Sequence, residues 1–310
     1  MTPACPWCDA PREPGPRCSR CGAIYAKAEA LKAGIDPVAA TSPATVAAEP
    51  GAPETRWSGD AEELAAELTL RASAVPVALA VAALFHAFPL GHFLQRTFLT
   101  MMVHELGHAV TAWWCGFAAF PFLWRTLIAG ERGPLTALVV AAGSGALLVW
   151  SLRARHPRLI GLAASLLALQ LGATVLLRAR NAQALVTFGG DGGAMVLGTL
   201  LMASFYVDRD TYIRRNALRW GFLVIGAAAF TDTFATWWQA RRDYDVIPFG
   251  EIEGVGLSDP SKLVDVYGWT TRALVQRYVT LGIVCLVALA AVWAWGTWQT
   301  RRELAALSRS

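Results

Sequence analysis

The sequence predicts an all-α protein with about six or seven membrane-spanning helices and a small cysteine-rich unit at its N-terminal end. Of the 310 residues, 55% are hydrophobic, and the mean hydropathy of +0.40 is higher than soluble domains usually show. Apolar runs of roughly the twenty residues that a membrane span requires recur from residue 74 onwards. Two C-x-x-C pairs precede all of these runs.

Charge and targeting signals narrow the class of protein further. The net charge of +4 comes from arginines scattered between the apolar runs and forms no basic patch, so we expect no nucleic-acid partner. The first residues lack the apolar region of a signal peptide. We therefore expect a multi-pass protein embedded in the lipid bilayer of the cell (inner) membrane.

Residues 1–27 are predicted to form a metal-binding unit. Each C-x-x-C pair can grip one side of a tetrahedral Zn²⁺, and the pairs consist of Cys5, Cys8, Cys18 and Cys21. The unit is too short for a hydrophobic core, so metal binding would have to supply its folding free energy. The pattern resembles the zinc-ribbon family. Disulfides or a redox C-x-x-C are the alternatives, but neither an export signal nor a βαβ pattern supports them. A reduced zinc site favours a cytosolic N-terminus.

Residues 28–73 are expected to form a flexible tether and then a short surface helix. Ala, Pro, Thr and Gly dominate the stretch up to residue 56, and no long apolar periodicity appears there. Ser58–Arg71 has acidic residues in its first turn, where they suit the helix dipole. Leu64 and Leu68 would give this helix an apolar stripe, although a solvated lead-in to the first span is the simpler interpretation.

Residues 74–310 form the predicted membrane domain. Its candidate spans cover residues 74–94, 97–116, 134–151, 158–177, 185–207, 217–239 and 273–299. Several tryptophans fall near span ends, as in the aromatic belts of membrane proteins. The segment Phe117–Ile128 is too short to span, so we expect a re-entrant or interfacial piece there.

The arginines between the spans give a conflicting topology. With a cytosolic N-terminus and only simple spans, the arginines of residues 153–158 and 209–219 would lie outside, against the positive-inside tendency. An extra crossing by residues 117–128, or one early apolar run that is not a true span, would place them inside. We favour this second arrangement.

An H-E-x-x-H motif lies inside the apolar run 97–116. His104 and His108 are four residues apart, so on a helix both imidazoles face one side and can bind one metal ion, of which zinc is the favoured one. Glu105 follows the first histidine and can act as a general base on water. The alternative is a pair of buried histidines that hydrogen-bond to helix backbones. Polar groups at membrane depth are costly, which favours a functional site.

A second candidate stretch is Phe188–Met195, in which Asp191 has two glycines on each side. Glycines permit close backbone approach and local unwinding of a membrane helix, which is how such helices build ion sites. Asp191 follows His108 at a distance that allows it to arrive from another helix as a third zinc ligand. The alternative is that the glycines form a turn that caps a helix at the membrane interface.

The two stretches together resemble the site-2 protease type of intramembrane metalloprotease, over roughly residues 97–207. The resemblance implies that His104, His108 and Asp191 bind zinc and that Glu105 activates water to cleave a peptide bond within the membrane. In this chain Gly190 precedes Asp191, where the family usually has Leu or Pro. The cysteine-rich unit is an addition to the family core.

Other polar residues of the apolar runs are weaker candidates. His86 and His92 lie on either side of a proline just before the H-E-x-x-H helix. The alternatives for them are extra metal ligands, groups that support a ligand, or packing residues. Asp232 is an intramembrane acid and the reserve candidate for the third ligand. In the long loop of residues 240–271, Ser258-Asp259-Pro260 predicts the start of a helix. This loop could cover the site, or it could simply connect two spans.

The sequence thus predicts an intramembrane zinc metalloendopeptidase with one catalytic zinc in the membrane domain and one structural zinc in the ribbon. Its substrate would be a membrane protein, cleaved in or near a transmembrane segment, and the ribbon would bind a protein partner. The alternative is a non-proteolytic zinc-binding membrane protein, acting as a metal sensor, carrier or assembly factor. A carrier needs ligands strung along several spans, whereas the sequence has one compact ligand motif.

Overall fold

The computed structural model describes residues 4–12, 14–32, 59–208, 211–252 and 256–308. Contacts divide the chain into two units, residues 1–58 and residues 59–310. The predicted flexible tether falls mainly on residues 33–58, which lie outside the described residues.

The N-terminal unit contains two short knuckles followed by helix α1 (Tyr25–Lys32). The knuckles repeat one hydrogen-bond pattern. The N–H of Cys5 donates to the carbonyl of Ala10, and the N–H of Cys18 donates to the carbonyl of Ala23. Each knuckle has a left-handed residue at its tight turn, namely Asp9 (φ 52°) and Gly22 (φ 73°). Glycine adopts this conformation without strain, and aspartate is among the residues that tolerate it.

The second unit is built from helices joined by two small hairpins. Its helices are α2 (Gly59–Ala87), α3 (Pro89–Gln95), α4 (Met101–Trp114), α5 (Pro134–Arg153), α6 (Pro157–Leu171), α7 (Ala179–Ala203), α8 (Tyr212–Arg215), α9 (Leu218–Gln239), α10 (Asp259–Ser261) and α11 (Thr271–Leu307). Its strands are β1 (Phe117–Pro121), β2 (Thr126–Arg132), β3 (Glu251–Ile252) and β4 (Gly256–Leu257). Short π-helical turns join α3 to α4 at Arg96–Thr100 and extend α6 and α10 at Gly172–Leu176 and Lys262–Val266.

The predicted helical membrane architecture is confirmed in its main features. Among the described residues, five helices are long and apolar enough to cross a membrane, and they cover Ala61–Ala87, Pro134–Arg153, Leu159–Leu176, Ala179–Tyr206 and Thr271–Leu307. The predicted spans at 97–116 and 217–239 are not among them. Helix α4 has only 14 residues, and the apolar run before it is divided between α3 and a π-helical turn.

The start of the second unit differs from the sequence prediction. Ser58–Arg71 was expected to be a separate short helix, but α2 runs from Gly59 to Ala87 as one helix of 29 residues, with Pro76 inside it. The lead-in and the first span are therefore continuous.

Strands β1 and β2 form an antiparallel hairpin over the segment that is predicted to be re-entrant or interfacial. Phe117 pairs with Arg132 and Pro121 pairs with Thr126. Because the first and last residues of a hairpin lie side by side, this segment returns to the point where it leaves α4. It therefore supplies no extra crossing to the topology.

The helices of the second unit pack around α7. Helices α4, α9 and α11 all contact it, and α2 packs against α9 and α11. The core contains the stacked rings of Trp237 and Tyr278, whose centroids are 4.1 Å apart. Helices α5 and α6 form a pair at the side, and apolar residues of α5 such as Leu135 (73% exposed) and Leu138 (66%) face outward. Apolar side chains on an outer surface are suited to contact with lipid.

Glycines bring α4 and α7 into close contact. A Cβ atom at Gly193 would collide with the backbone of Gly107, and a Cβ atom at Gly107 would collide with the carbonyl of Gly189. A Cβ atom at Gly190 would lie 2.5 Å from Nε2 of His108. The glycines around Asp191 therefore provide the close approach that the sequence predicts. They neither unwind the helix nor form a turn, because α7 is helical throughout.

Candidate metal centre

His104 and His108 occupy one face of α4, and their imidazoles meet. Their Nε2 atoms are 3.1 Å apart, and both residues are buried. The one-turn spacing of the H-E-x-x-H motif produces this arrangement, because residues four apart in a helix are neighbours.

The opposite ring nitrogens are held by acceptors from α7. Nδ1 of His108 is 2.8 Å from the carbonyl oxygen of Val186, and Nδ1 of His104 is 2.9 Å from Oδ1 of Asp191. A carbonyl oxygen can only accept, so Nδ1 of His108 carries the hydrogen. In the neutral ring, Nε2 then carries the lone pair. The carboxylate of Asp191 favours the same tautomer of His104.

Asp259 completes a group of three acceptor atoms. Its Oδ2 lies 2.9 Å from Nε2 of His108 and 3.3 Å from Nε2 of His104. Ligand atoms around a tetrahedral zinc ion are separated by about 3.3 Å, given zinc–nitrogen and zinc–oxygen distances of about 2.0 Å. The three atoms therefore have the spacing and the chemistry to hold one divalent cation.

The loop between α9 and α11 delivers Asp259 to the histidines. The side chain of Ser258 accepts from the N–H of Ser261 and caps α10, so Asp259 stands in its first turn. Lys262 lies 3.6 Å from the other carboxylate oxygen. Burial raises the pKa of Asp259, but hydrogen bonds and positive charge from His104 and His108 in their protonated form lower it more, so in the absence of a metal its pKa lies well below the usual range. Asp259 is therefore a carboxylate at neutral pH, and a divalent cation would take the place of the imidazole protons.

Asp191 contacts His104 on the side opposite Asp259. Its Oδ1 faces Nδ1 of His104, and its Oδ2 accepts from the indole N–H of Trp237 at 2.8 Å. The sequence predicts Asp191 as a third ligand, but both of its oxygens are directed at these donors and not at the group that Asp259 completes.

Glu105 lies next to the histidines and is held by the β-hairpin. The hydroxyl of Thr126, the first residue of β2, is 2.7 Å from Oε2 of Glu105 and 2.8 Å from its backbone oxygen. Glu105 is buried, yet it borders the same cavity as His104 and His108. The hairpin thus fixes a carboxylate beside the candidate metal ligands.

A cavity of about 580 Å³ connects these groups. The two histidines, Glu105, Thr126 and Asp259 all line it, and the remaining walls include Trp124 on the hairpin and Phe249 and Leu257 on the long loop.

Comparison of the chain with protein-family models, with curated proteins and with solved structures finds no match.

The four cysteines of the N-terminal unit form a second group of ligands. Sγ of Cys5 is 3.8 Å from Sγ of Cys21, and Sγ of Cys8 is 3.8 Å from Sγ of Cys18. All four are free thiols. Sulfurs bound to one tetrahedral zinc ion lie about 3.8 Å apart, given a zinc–sulfur distance of about 2.3 Å, whereas disulfide sulfurs are bonded at about 2.05 Å. The cluster can hold a metal ion.

The pKa values of these thiols show why a cation suits the cluster. The backbone N–H of Cys21 lowers the pKa of Cys18 to about 6, although burial opposes the shift. The backbone N–H of Ala10 lowers the pKa of Cys8, but the neighbouring thiols and burial raise it more, to about 12. Ionisation of Cys18 is therefore favoured, and a bound cation would favour ionisation of the neighbouring thiols as well.

The weaker candidates of the sequence analysis form a separate group. His86 and His92 both contact Asp232, and none of the three belongs to the group formed by His104, His108 and Asp259.

Sequence reasoning missed Asp259, Thr126 and Trp237 as parts of the site. The helix start at Ser258 was visible as Ser-Asp-Pro, but other acidic residues of the same loop carry equal weight in the sequence. Thr126 and Trp237 have no local signal, because their roles come from contacts between distant segments.

Proposed function

We propose that this chain is an intramembrane zinc metalloendopeptidase that hydrolyses peptide bonds in or near transmembrane segments of other membrane proteins. The observation that carries the proposal is the convergence of three acceptors, Nε2 of His104, Nε2 of His108 and Oδ2 of Asp259, beside the buried carboxylate of Glu105. Three acceptors this close to one another repel unless a cation or protons lie between them.

Zinc is the cation that this set of ligands fits best. Two neutral imidazoles and one carboxylate are a frequent ligand set of catalytic zinc, which keeps a further position open. His104, His108 and Asp259 would hold the ion, and Asp191 would orient His104 through Nδ1. When bound, zinc acts as a Lewis acid that polarises a peptide carbonyl and makes water more acidic.

Glu105 is the general base of the proposed reaction. The Thr126 hydroxyl occupies Oε2 of Glu105, so we assign the proton-accepting role to Oε1. Glu105 takes a proton from the attacking water and afterwards donates it to the leaving amine nitrogen. Burial keeps bulk water from competing for the carboxylate, and the hairpin fixes its position relative to the histidines.

A test of the proposal compares zinc content and cleavage in the same purified variants. Glu105→Gln keeps the size of the side chain and removes its basicity, so zinc should stay bound while cleavage of a membrane-embedded reporter falls by about a hundredfold to ten-thousandfold. His104→Ala should lose both the zinc of the membrane site and the cleavage. Glu131→Gln, on the exposed part of β2, is the matched control and should change neither.

The alternative function, a metal sensor, carrier or assembly factor, makes a different prediction. In that case the Glu105→Gln substitution has almost no effect, and metal binding and transport are preserved. A Glu105→Gln protein that cleaves the reporter at the wild-type rate would refute the peptidase proposal.

The remaining parts of the proposal concern location and partners. Five helices of the second unit are long and apolar enough to cross a lipid bilayer, and we assign the protein to the cell (inner) membrane. The four-cysteine unit would bind one structural zinc ion on the cytosolic side, where thiols stay reduced. It would serve there as a docking unit for a protein partner.

A further inference from the structure

A third group of metal-type ligands lies outside the proposed catalytic site. His86 is at the end of α2, His92 is on α3 and Asp232 is in the second half of α9. Nδ1 of His86 is 3.2 Å from Oδ1 of Asp232, and Nε2 of His92 is 2.9 Å from the same oxygen. Two successive helices thus direct two imidazoles at a single carboxylate oxygen of a third helix that is distant in sequence.

Hydrogen bonding does not account fully for this group. Nε2 of His92 is shielded from solvent, and although it lies close to Asp232, no group of the described chain is aligned with it for a hydrogen bond. The hydroxyl of Thr233, a residue only 1% exposed, lines the cavity beside the group and likewise has no partner in the part of the chain that the structure describes. Unpartnered buried polar atoms are rare and indicate a missing ligand, ion or water.

Asp232 and Arg96 determine how tightly the group can hold a cation. Asp232 is fully buried, and a buried carboxylate requires compensation. The guanidinium of Arg96 contacts Oδ2 at 3.1 Å, which leaves Oδ1 to the two imidazoles. Because Arg96 already neutralises one charge, this group should hold a cation less tightly than the His104 site.

The space around the group permits a further ligand. A cavity of about 380 Å³ borders His86, His92 and Thr233 and is also lined by Thr236 and Gln239. A metal ion held by the three residues would keep one position open towards this cavity, where water can complete the coordination.

We propose that His86, His92 and Asp232 form a second metal site in the membrane domain, which takes a divalent transition-metal ion, with Zn²⁺ as the ion that two imidazoles and a carboxylate favour. Its contacts of 2.9 and 3.2 Å are close to the separation of about 3.3 Å between zinc ligands. No residue is shared with the ligand set of the other site, so the second site stands whether or not the chain is a peptidase.

To test this proposal, the His104 site is removed by substitution and the zinc ions that stay bound to the chain are counted. Full-length protein is dialysed against buffered Zn²⁺, and zinc per chain is measured by mass spectrometry. The double variant His104→Ala/His108→Ala should retain about two zinc ions, one in the cysteine cluster and one at the second site. Adding His92→Gln should reduce this to about one, and adding Asp232→Asn should do the same.

His156→Gln is the matched control, because His156 is the one histidine of the five in the chain that belongs to neither group. In the same background it should leave about two zinc ions. His92 is the preferred substitution because its side chain is 40% exposed, so its loss is the least disruptive to folding. If the double variant retains only the cysteine-bound zinc, or if His92→Gln and Asp232→Asn leave the zinc count equal to that of His156→Gln, the second site does not exist.

Discussion

Oδ1 of Asp191 lies 2.9 Å from Nδ1 of His104, on the side of the ring opposite the Nε2 atom that faces Asp259. The indole of Trp237 fixes the other carboxylate oxygen. Asp191 is thereby placed to set the tautomer and the orientation of His104. This arrangement separates two carboxylates that look equivalent in sequence, because Asp191 contacts Nδ1 of His104 and Asp259 faces the Nε2 atoms of both histidines.

Substitution of the two aspartates should therefore have unequal effects on zinc. Asp259→Ala removes a ligand and should abolish zinc binding at the membrane site. Asp191→Asn replaces one of the two acceptor oxygens by an NH2 donor, so the side chain can no longer accept from both His104 and Trp237. The loss of such a supporting contact typically weakens metal affinity by about tenfold to a hundredfold. Zinc titration of the purified variants measures both effects.

Asp265→Ala serves as the control, because this exposed aspartate lies in the same loop as Asp259. It should bind zinc like the wild type. Retention of zinc in Asp259→Ala together with its loss in Asp191→Asn would restore Asp191 as the third ligand.

Thr126 should contribute to catalysis by holding Glu105. Thr126→Val keeps the shape of the side chain and removes the hydroxyl that contacts Oε2 of Glu105. Hydrogen bonds to charged groups contribute about 1.5–3 kcal/mol, so kcat should fall by roughly tenfold to a hundredfold. KM and zinc content should change little, because Thr126 contacts neither the metal ligands nor the proposed ion.

Thr126→Ser restores the hydroxyl and should recover most of the activity. Steady-state kinetics on the membrane-embedded reporter separate the two parameters. If Thr126→Ser is as impaired as Thr126→Val, the methyl group and the hairpin packing matter, and the hydrogen bond does not.

The sequence predicts the local parts of this protein well. Apolar runs predict the long helices because a span needs a length and composition that few other structures require. The H-E-x-x-H spacing places His104 and His108 on one helix face for the same kind of reason, since helical geometry repeats every 3.6 residues. The cysteine spacing likewise brings the four thiols together.

Long-range contacts are where sequence reasoning fails. Nothing near Asp259 distinguishes it from the other acids of its loop, and the packing of the loop against α4 decides which of them reaches the histidines. The glycines around Asp191 predict that another backbone segment packs closely against them. They do not predict which segment it is, and the structure shows that it is the backbone of Gly107. The segment after α4 has strand-forming residues in an apolar context, and pairing between its two halves determines the hairpin.

The contact between α4 and α7 should be sensitive to a single methyl group. Gly193→Ala would place a Cβ atom against the backbone of Gly107, and overpacking of this kind typically costs about 1–3 kcal/mol. Because Gly107 lies within the H-E-x-x-H motif, the shift should also displace the histidines and weaken zinc binding. Thermal unfolding in detergent and zinc titration measure the two effects.

Gly145→Ala is the matched control for this prediction. Gly145 is inside α5, and a Cβ atom there would meet nothing within 4 Å in the described chain. Removing a helical glycine without a clash should leave stability unchanged or raise it by about 0.5–1 kcal/mol. Equal stability of the two variants would show that the helices can separate without cost.

The cysteine cluster should bind its zinc ion independently of the membrane site. Cys18→Ser should remove about one zinc ion per chain and leave zinc at the membrane site. Cys115→Ser and Cys285→Ser are the controls, because these two cysteines lie outside the cluster. Zinc analysis of the full-length variants measures the loss, and an unchanged zinc content in Cys18→Ser would contradict the zinc-ribbon interpretation.

The pH dependence of this cluster follows from its thiols. The pKa of Cys18 is lowered from 9.0 to about 6 in the folded knuckle. Its thiolate therefore stabilises the fold fully above pH 9, and that contribution is lost as the pH falls through 6. Protons also compete with zinc for Cys8, whose pKa is raised to about 12 without a metal. Zinc should thus leave the cluster as the pH falls from 7.5 to 5.5. A chelating dye measures this release in the His104→Ala/His108→Ala/His92→Gln background, in which the cysteine cluster is the one proposed zinc site left, and release that is equal at both pH values would contradict thiolate ligation.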